Sequence, residues 1–256
     1  MFAAFHHTFK QYKRIIMQNF KFIFVMVVVL STLFPKSNNE RNIKTFVTDV
    51  TIEVELNYLL YLPSDYSYSK KAYPLVLFLH GAGERGEDID LVEIHGIPKL
   101  INMGKDFPFI TIAPQCPFER WWSDIVFVKT LISLIEKTKN QYNVDGSRIY
   151  ATGLSMGGYG TLAIAMERPD LFSGIIPICG GGDLDKIGRL KNMPVWLFHG
   201  DADTVVPVEN STKIYNVLKS INDNVKITIY ENVGHDSWTE TYDNNKIYEW
   251  LLSQKK

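Results

Sequence analysis

Five short, almost uninterrupted apolar runs punctuate the chain: Leu75–Leu79, Phe109–Ala113, Arg148–Thr152, Ile175–Ile178 and Val195–Phe198. A strand that is apolar on both faces must be covered on both faces, which is the condition of a parallel strand inside an α/β sheet. Between the runs, apolar residues recur every three or four positions, as at Ile125, Val128, Leu131, Ile132 and Ile135, and again at Ile214, Val217, Leu218 and Ile221, the period of a helix with one buried stripe. A further run at Val225–Tyr230 and a closing helix near Trp250–Leu252 complete the series. Upstream, Val50 to Leu62 alternates in the manner of half-buried strands near a sheet edge. Strands alternating with helices predict an α/β fold, a mostly parallel central sheet with helices on both faces. The stretches between strands are too short for a large cap, and no internal repeat or low-complexity linker marks off a second domain.

Composition narrows the partners. The 256 residues are 46% hydrophobic, and 27 basic and 28 acidic side chains leave a formal net charge of -1. A nucleic-acid binder needs a basic face to neutralise phosphates, so the near-neutral balance argues against one. The apolar fraction excludes intrinsic disorder. Part of that fraction is concentrated at Phe22–Phe34, behind Lys10, Lys13, Arg14 and Lys21. At 1.5 Å per residue this run reaches about 20 Å, short of a hydrocarbon core of roughly 30 Å. A basic stretch followed by a short apolar one is the pattern of a secretory signal, with Met17 a second candidate start. No small-residue cleavage site follows, so retention as an anchor is the alternative. Residues 1–37 are therefore expected to be a signal peptide or N-terminal anchor and residues 38–256 the folded domain. The protein is expected to be exported, periplasmic or secreted, with membrane contact only through an uncleaved N-terminal segment. His6 and His7 fall in this leader and are incidental.

The chemistry begins after the third apolar run. Gly153-Leu154-Ser155-Met156-Gly157 is G-x-S-x-G between a strand and an Ala-rich helix, with glycines where a side chain would strike the neighbouring strand and helix. A serine hydroxyl is a weak nucleophile at neutral pH and needs a base held by a carboxylate. Two histidines follow Ser155 in sequence. His199 ends a strand and reads as structural. His235 lies in a loop between the last strand and the closing helix, where a catalytic imidazole belongs. For the acid, Asp201 directly follows Gly200 and reads as shaping the turn, whereas Asp203 reaches further along the loop and is the choice. Asp183, Asp185 and Asp236 read as solvated or turn carboxylates.

A tetrahedral oxyanion needs two preorganised donors. The amide of Met156, at the helix start, is one candidate. The amide of Ala82, in His80-Gly81-Ala82-Gly83 after the first apolar run, is the other. Gly81, Gly83 and Gly86 also match a dinucleotide fingerprint in spacing, but the charged residues that follow do not open a helix, and no carboxylate ends a strand about 20 residues on. Trp121, Trp122 and Trp238 are candidates for an aromatic platform under a sugar or phenolic group, with packing as the equal alternative for the first two. Cys116 and Cys179 lack metal spacing and are either free core thiols or one disulfide. No cofactor and no metal are expected.

From Pro74 to Trp250 these stretches together resemble the α/β-hydrolase superfamily. Within it the chain is similar to secreted bacterial esterases labelled predicted peptidases, related to phospholipase/carboxylesterase and feruloyl-esterase-like enzymes. The matching segments are LFLHGAGERG at Leu77, APQCP at Ala113, GLSMGGYGT at Gly153, PICGGGD at Pro177, FHGDADTVVP at Phe198 and GHDSW at Gly234. The resemblance implies Ser155, Asp203 and His235 as a triad with Ala82 and Met156 as the oxyanion hole, in agreement with the positional reading. It further implies a serine carboxylic-ester hydrolase working through an acyl-enzyme on small acyl or carbohydrate-linked feruloyl or acetyl esters. The alternatives are a serine peptidase of the prolyl-oligopeptidase type and a non-catalytic carbohydrate-binding protein on the same scaffold. These enzymes often carry an additional N-terminal module, and here a leader and short strands precede the core.

Overall fold

The computed structural model describes residues 45–48 and 51–256, so the candidate signal segment lies outside the described residues. The chain divides at Thr51 and Ile52, and every element below belongs to the unit Ile52–Lys256. Among the described residues no helix is long and apolar enough to cross a membrane.

Seven strands form one sheet: β1 (Tyr58–Tyr61), β2 (Tyr73–Leu79), β3 (Ile110–Pro114), β4 (Val144–Leu154), β5 (Gly174–Ile178), β6 (Val195–Gly200) and β7 (Val225–Tyr230). Their order is β1-β3-β2-β4-β5-β6-β7. Only β1 runs antiparallel, pairing Tyr58 with Pro114 and Tyr61 with Thr111; the remaining neighbours are parallel. This is the mostly parallel sheet expected from the apolar runs. The alternating upstream stretch forms a strand only where the edge of β3 offers partners, and that strand is half-buried along its length.

Among the described residues six helices cover the two faces: α1 (Gly96–Asn102), α2 (Ile125–Gln141), α3 (Met156–Glu167), α4 (Glu209–Lys219), α5 (Trp238–Asp243) and α6 (Asn245–Ser253). Because successive strand residues point to opposite faces, Leu75, Leu77 and Leu79 of β2 pack with Leu131 and Ile135 of α2 and Leu218 of α4. Val76 and Phe78 pack instead with Ile97 of α1, Tyr242 of α5 and Leu251 of α6. The buried stripe of α4 is Ser211, Ile214 and Leu218, while Val217 and Ile221 from the same period are exposed. Among the described residues no inserted cap covers the carboxyl edge of the sheet.

Cys116 and Cys179 are both buried and free. They belong to the apolar layers on opposite sides of the sheet, which removes the disulfide alternative.

Candidate active site

The last six residues of β4 are buried and deliver the chain rigidly to Ser155. Ser155 has φ 52° and ψ -116°, a region a side chain enters only under strain. The turn is held from both sides. The Ser155 amide donates to the Ile178 carbonyl on β5 at 2.9 Å, and the Ser155 carbonyl accepts from the Gly158 and Tyr159 amides as α3 begins. Such a turn leaves no room beneath it. A Cβ at Gly153 would stand 2.7 Å from the Leu79 carbonyl oxygen, and one at Gly157 would run into that same carbonyl.

The loops after β6 and β7 bring the other two groups to the serine. His235 Nε2 lies 3.0 Å from Ser155 Oγ, and its Nδ1 lies 2.7 Å from Asp203 Oδ2. The carboxylate can only accept, so the proton sits on Nδ1 and Nε2 is free to accept from the serine hydroxyl. The two loops are fastened to one another: Asp201 Oδ1 accepts from the Asn232 amide at 2.7 Å, and the Ala202 amide donates to the Val233 carbonyl. Gly200 permits the crossing, since a Cβ there would strike the Val233 carbonyl. Asp201 thus shapes the turn, as its position beside Gly200 suggests.

The Asp203 side chain is fully enclosed. Its Oδ1 accepts from the Val205 and Val206 amides, each at 2.9 Å. Burial pushes its carboxyl up, but the hydrogen bonds from His235 and from the Val206 and Val205 amides outweigh that and hold it below the ordinary aspartate value. Asp183 pairs with Lys186 and Asp236 accepts from the Thr239 amide; both are exposed, and neither reaches the base.

Ala82 opens a 3-10 turn, Ala82–Glu84, and Met156 is the first residue of α3. Neither amide donates to another group among the described residues. Their loop is pinned by side chains that sequence reasoning did not single out. His80, fully buried, bonds through Nδ1 to the Gly81 carbonyl at 2.6 Å and accepts through Nε2 from the Cys116 amide. That ring is neutral, and burial pushes its pKa down to about 4. Glu84 accepts the Gly81 amide at 2.7 Å, and Gln115 Nε2 donates to the Glu84 and Asp88 carbonyls. The His80-Gly81 pair and the Gln in APQCP were visible in the sequence, but not what they hold.

The three tryptophans separate. Trp122 is fully buried and its Nε1 donates to the His80 carbonyl at 3.1 Å. It packs behind the Ala82 loop, which selects the packing alternative for this residue. Trp121 is 45% exposed, with the Arg85 guanidinium 5.6 Å from its ring. Trp238 meets the His235 ring edge-on at 5.2 Å between centroids. A cavity of about 340 Å³ opens along α3, lined by apolar Ile125, Val128 and Met166 and by polar Asp183, Lys186 and Asn210, with no triad residue in its wall.

Cys179, Asp203 and His235 place ligand atoms within 4.8 Å of one another. This cluster is the acid and base already paired, plus a thiol that burial pushes up to about 12 and so keeps protonated.

A family model described as phospholipase/carboxylesterase matches residues 125–250. Acyl-protein thioesterase 1 of Neurospora crassa is 32% identical over 202 residues, 66% of this chain and 82% of its own. Cutinase est1 of Thermobifida alba is 40% identical over 81 residues, 31% of this chain and 27% of the cutinase. A crystal structure of a thermostable esterase superposes with a TM-score of 0.70 at 40% identity, over 79% of this chain and 60% of that one. The chain therefore spans less than two thirds of the length of the cutinase and of the thermostable esterase.

Proposed function

Because this chain belongs to the phospholipase/carboxylesterase family of the α/β-hydrolases, we propose that it is a serine carboxylic-ester hydrolase that works through an acyl-enzyme. The observation that carries the proposal is the unbroken series Ser155 Oγ, His235 and Asp203, hydrogen-bonded in line on a strained strand-to-helix turn.

In this mechanism Ser155 Oγ attacks the ester carbonyl while His235 Nε2 takes its proton. Asp203 keeps the imidazole in its Nδ1–H tautomer and stabilises the imidazolium that forms. The negative charge on the carbonyl oxygen is met by the Ala82 and Met156 amides, one held by the His80 and Glu84 contacts and the other at a helix N-terminus. His235 then protonates the leaving alkoxide. Water, deprotonated by the same imidazole, releases the acid and restores Ser155.

Small acyl esters and carbohydrate-linked feruloyl or acetyl esters are the proposed substrates. The open carboxyl edge and the half-exposed Trp121 support this class. Export from the cell is proposed on the N-terminal sequence alone. A panel of p-nitrophenyl, feruloyl and acetyl-xylan esters beside chromogenic peptides tests the reading. The esters should turn over, with a pre-steady-state burst on p-nitrophenyl acetate, and Ser155→Ala should remove both burst and turnover. Turnover of the peptides alone, or a burst that survives Ser155→Ala, would overturn it.

A further inference from the structure

The ring of His199 is fully buried at the end of β6, and both of its nitrogens are engaged. Nε2 lies 2.8 Å from the Val206 carbonyl oxygen. A carbonyl only accepts, so Nε2 carries the proton. Nδ1 lies 2.7 Å from Ser211 Oγ, a hydroxyl that also stands 3.3 Å from the Gly180 carbonyl oxygen. The same Nε2 stands 3.2 Å from Asp203 Oδ2, the oxygen that accepts the hydrogen bond from His235 Nδ1. Val206 belongs to the turn that Asp203 itself caps through Oδ1. His199 therefore holds the carbonyl side of a turn whose amide side Asp203 holds, and stands beside the carboxylate without a hydrogen bond to it.

We infer that His199 is a positioning residue for the acid: its Nε2–H holds the Val206 carbonyl and so fixes the turn from which Asp203 reaches His235. The inference rests on reading Ser155, His235 and Asp203 as the triad. The other titratable groups facing Asp203 are His235, the Cys179 thiol and the Tyr159 phenol, and neither Cys179 nor Tyr159 donates a hydrogen bond to it in this structure.

Two variants separate positioning from space-filling. The amide nitrogen of His199→Gln reaches where Nε2 lies and preserves the contact with Val206 and Asp203. His199→Asn reaches only as far as Nδ1 and preserves the side toward Ser211. The Gln variant should keep kcat within about threefold of the parent and retain its pH profile. The Asn variant should lose about tenfold in kcat at unchanged KM. In it the acidic limb of kcat/KM should move to lower pH, because a turn freed of the Val206 contact holds the Asp203 carboxylate less well against His235 and leaves that imidazole less basic. Equal kcat in the two variants, with neither limb displaced, would overturn the inference. Fluorophosphonate labelling of the parent and of Ser155→Ala, run in parallel, reports on the triad reading separately. Nitrogen-15 spectra of the unmodified protein give a readout independent of variant folding: His199 should be protonated at Nε2 and His235 at Nδ1. A His199 ring without a proton at Nε2 would contradict the inference whatever the variants do.

Discussion

Ser155 is the residue where local preference and function conflict. A non-glycine residue at φ 52° is strained by about 1–3 kcal/mol, and the Ile178 carbonyl and the first turn of α3 hold it there. His80 illustrates a different cost at the same scale. Its ring is kept neutral by burial, with a pKa near 4, whereas an unfolded histidine titrates near 6.5. Folding therefore excludes a proton from this ring. The stability it contributes is complete above the unfolded value and is lost as pH falls from about 6.5 toward 4. Equilibrium denaturation at pH 7.5 and 4.5 should show the parent losing roughly 2 kcal/mol more over that interval than His80→Gln. Equal losses would mean that the ring is not held neutral.

At the scale of elements, the site is made by two loops that could not be placed from local sequence alone. The loop after β6 carries Asp203 and the loop after β7 carries His235, and Asp201 joins them by accepting the Asn232 amide. Asp201→Ala should lower kcat by about tenfold while changing stability by only about 1 kcal/mol, measured by steady-state kinetics beside thermal melts. Unchanged kcat would show that Gly200 and the backbone bonds suffice to hold His235. Much of this was legible: strand runs marked the sheet, and the order Ser155, Asp203, His235 at the carboxyl ends of β4, β6 and β7 marked the site. What was not legible depended on tertiary neighbours. Trp121 and Trp122 are adjacent and chemically identical, yet only the second meets the His80 carbonyl. His199 read as a strand end because its partners, Val206 and Ser211, come to it only when the following turn closes. Val217 and Ile221 fit a helical stripe that α4 leaves facing solvent.

Across the whole molecule, one parallel sheet separates two apolar layers and presents its chemistry at one edge. Cys116 and Cys179 sit in different layers, and burial pushes each thiol up to about 12. Thiol titration with a chromogenic disulfide should therefore find no fast-reacting group in the native protein and 2 groups after denaturation, with no change in Tm on adding reductant. A Tm that falls with reductant would instead indicate a bridge. The central claim, that Ser155 is the nucleophile driven by His235 and Asp203, is tested most directly by treating the protein with a fluorophosphonate and locating the adduct by peptide mass spectrometry. The adduct should be single and on Ser155, and it should be slowed by orders of magnitude in His235→Ala and Asp203→Ala; an adduct on another residue, or undiminished labelling of Ser155 in those variants, would contradict the account.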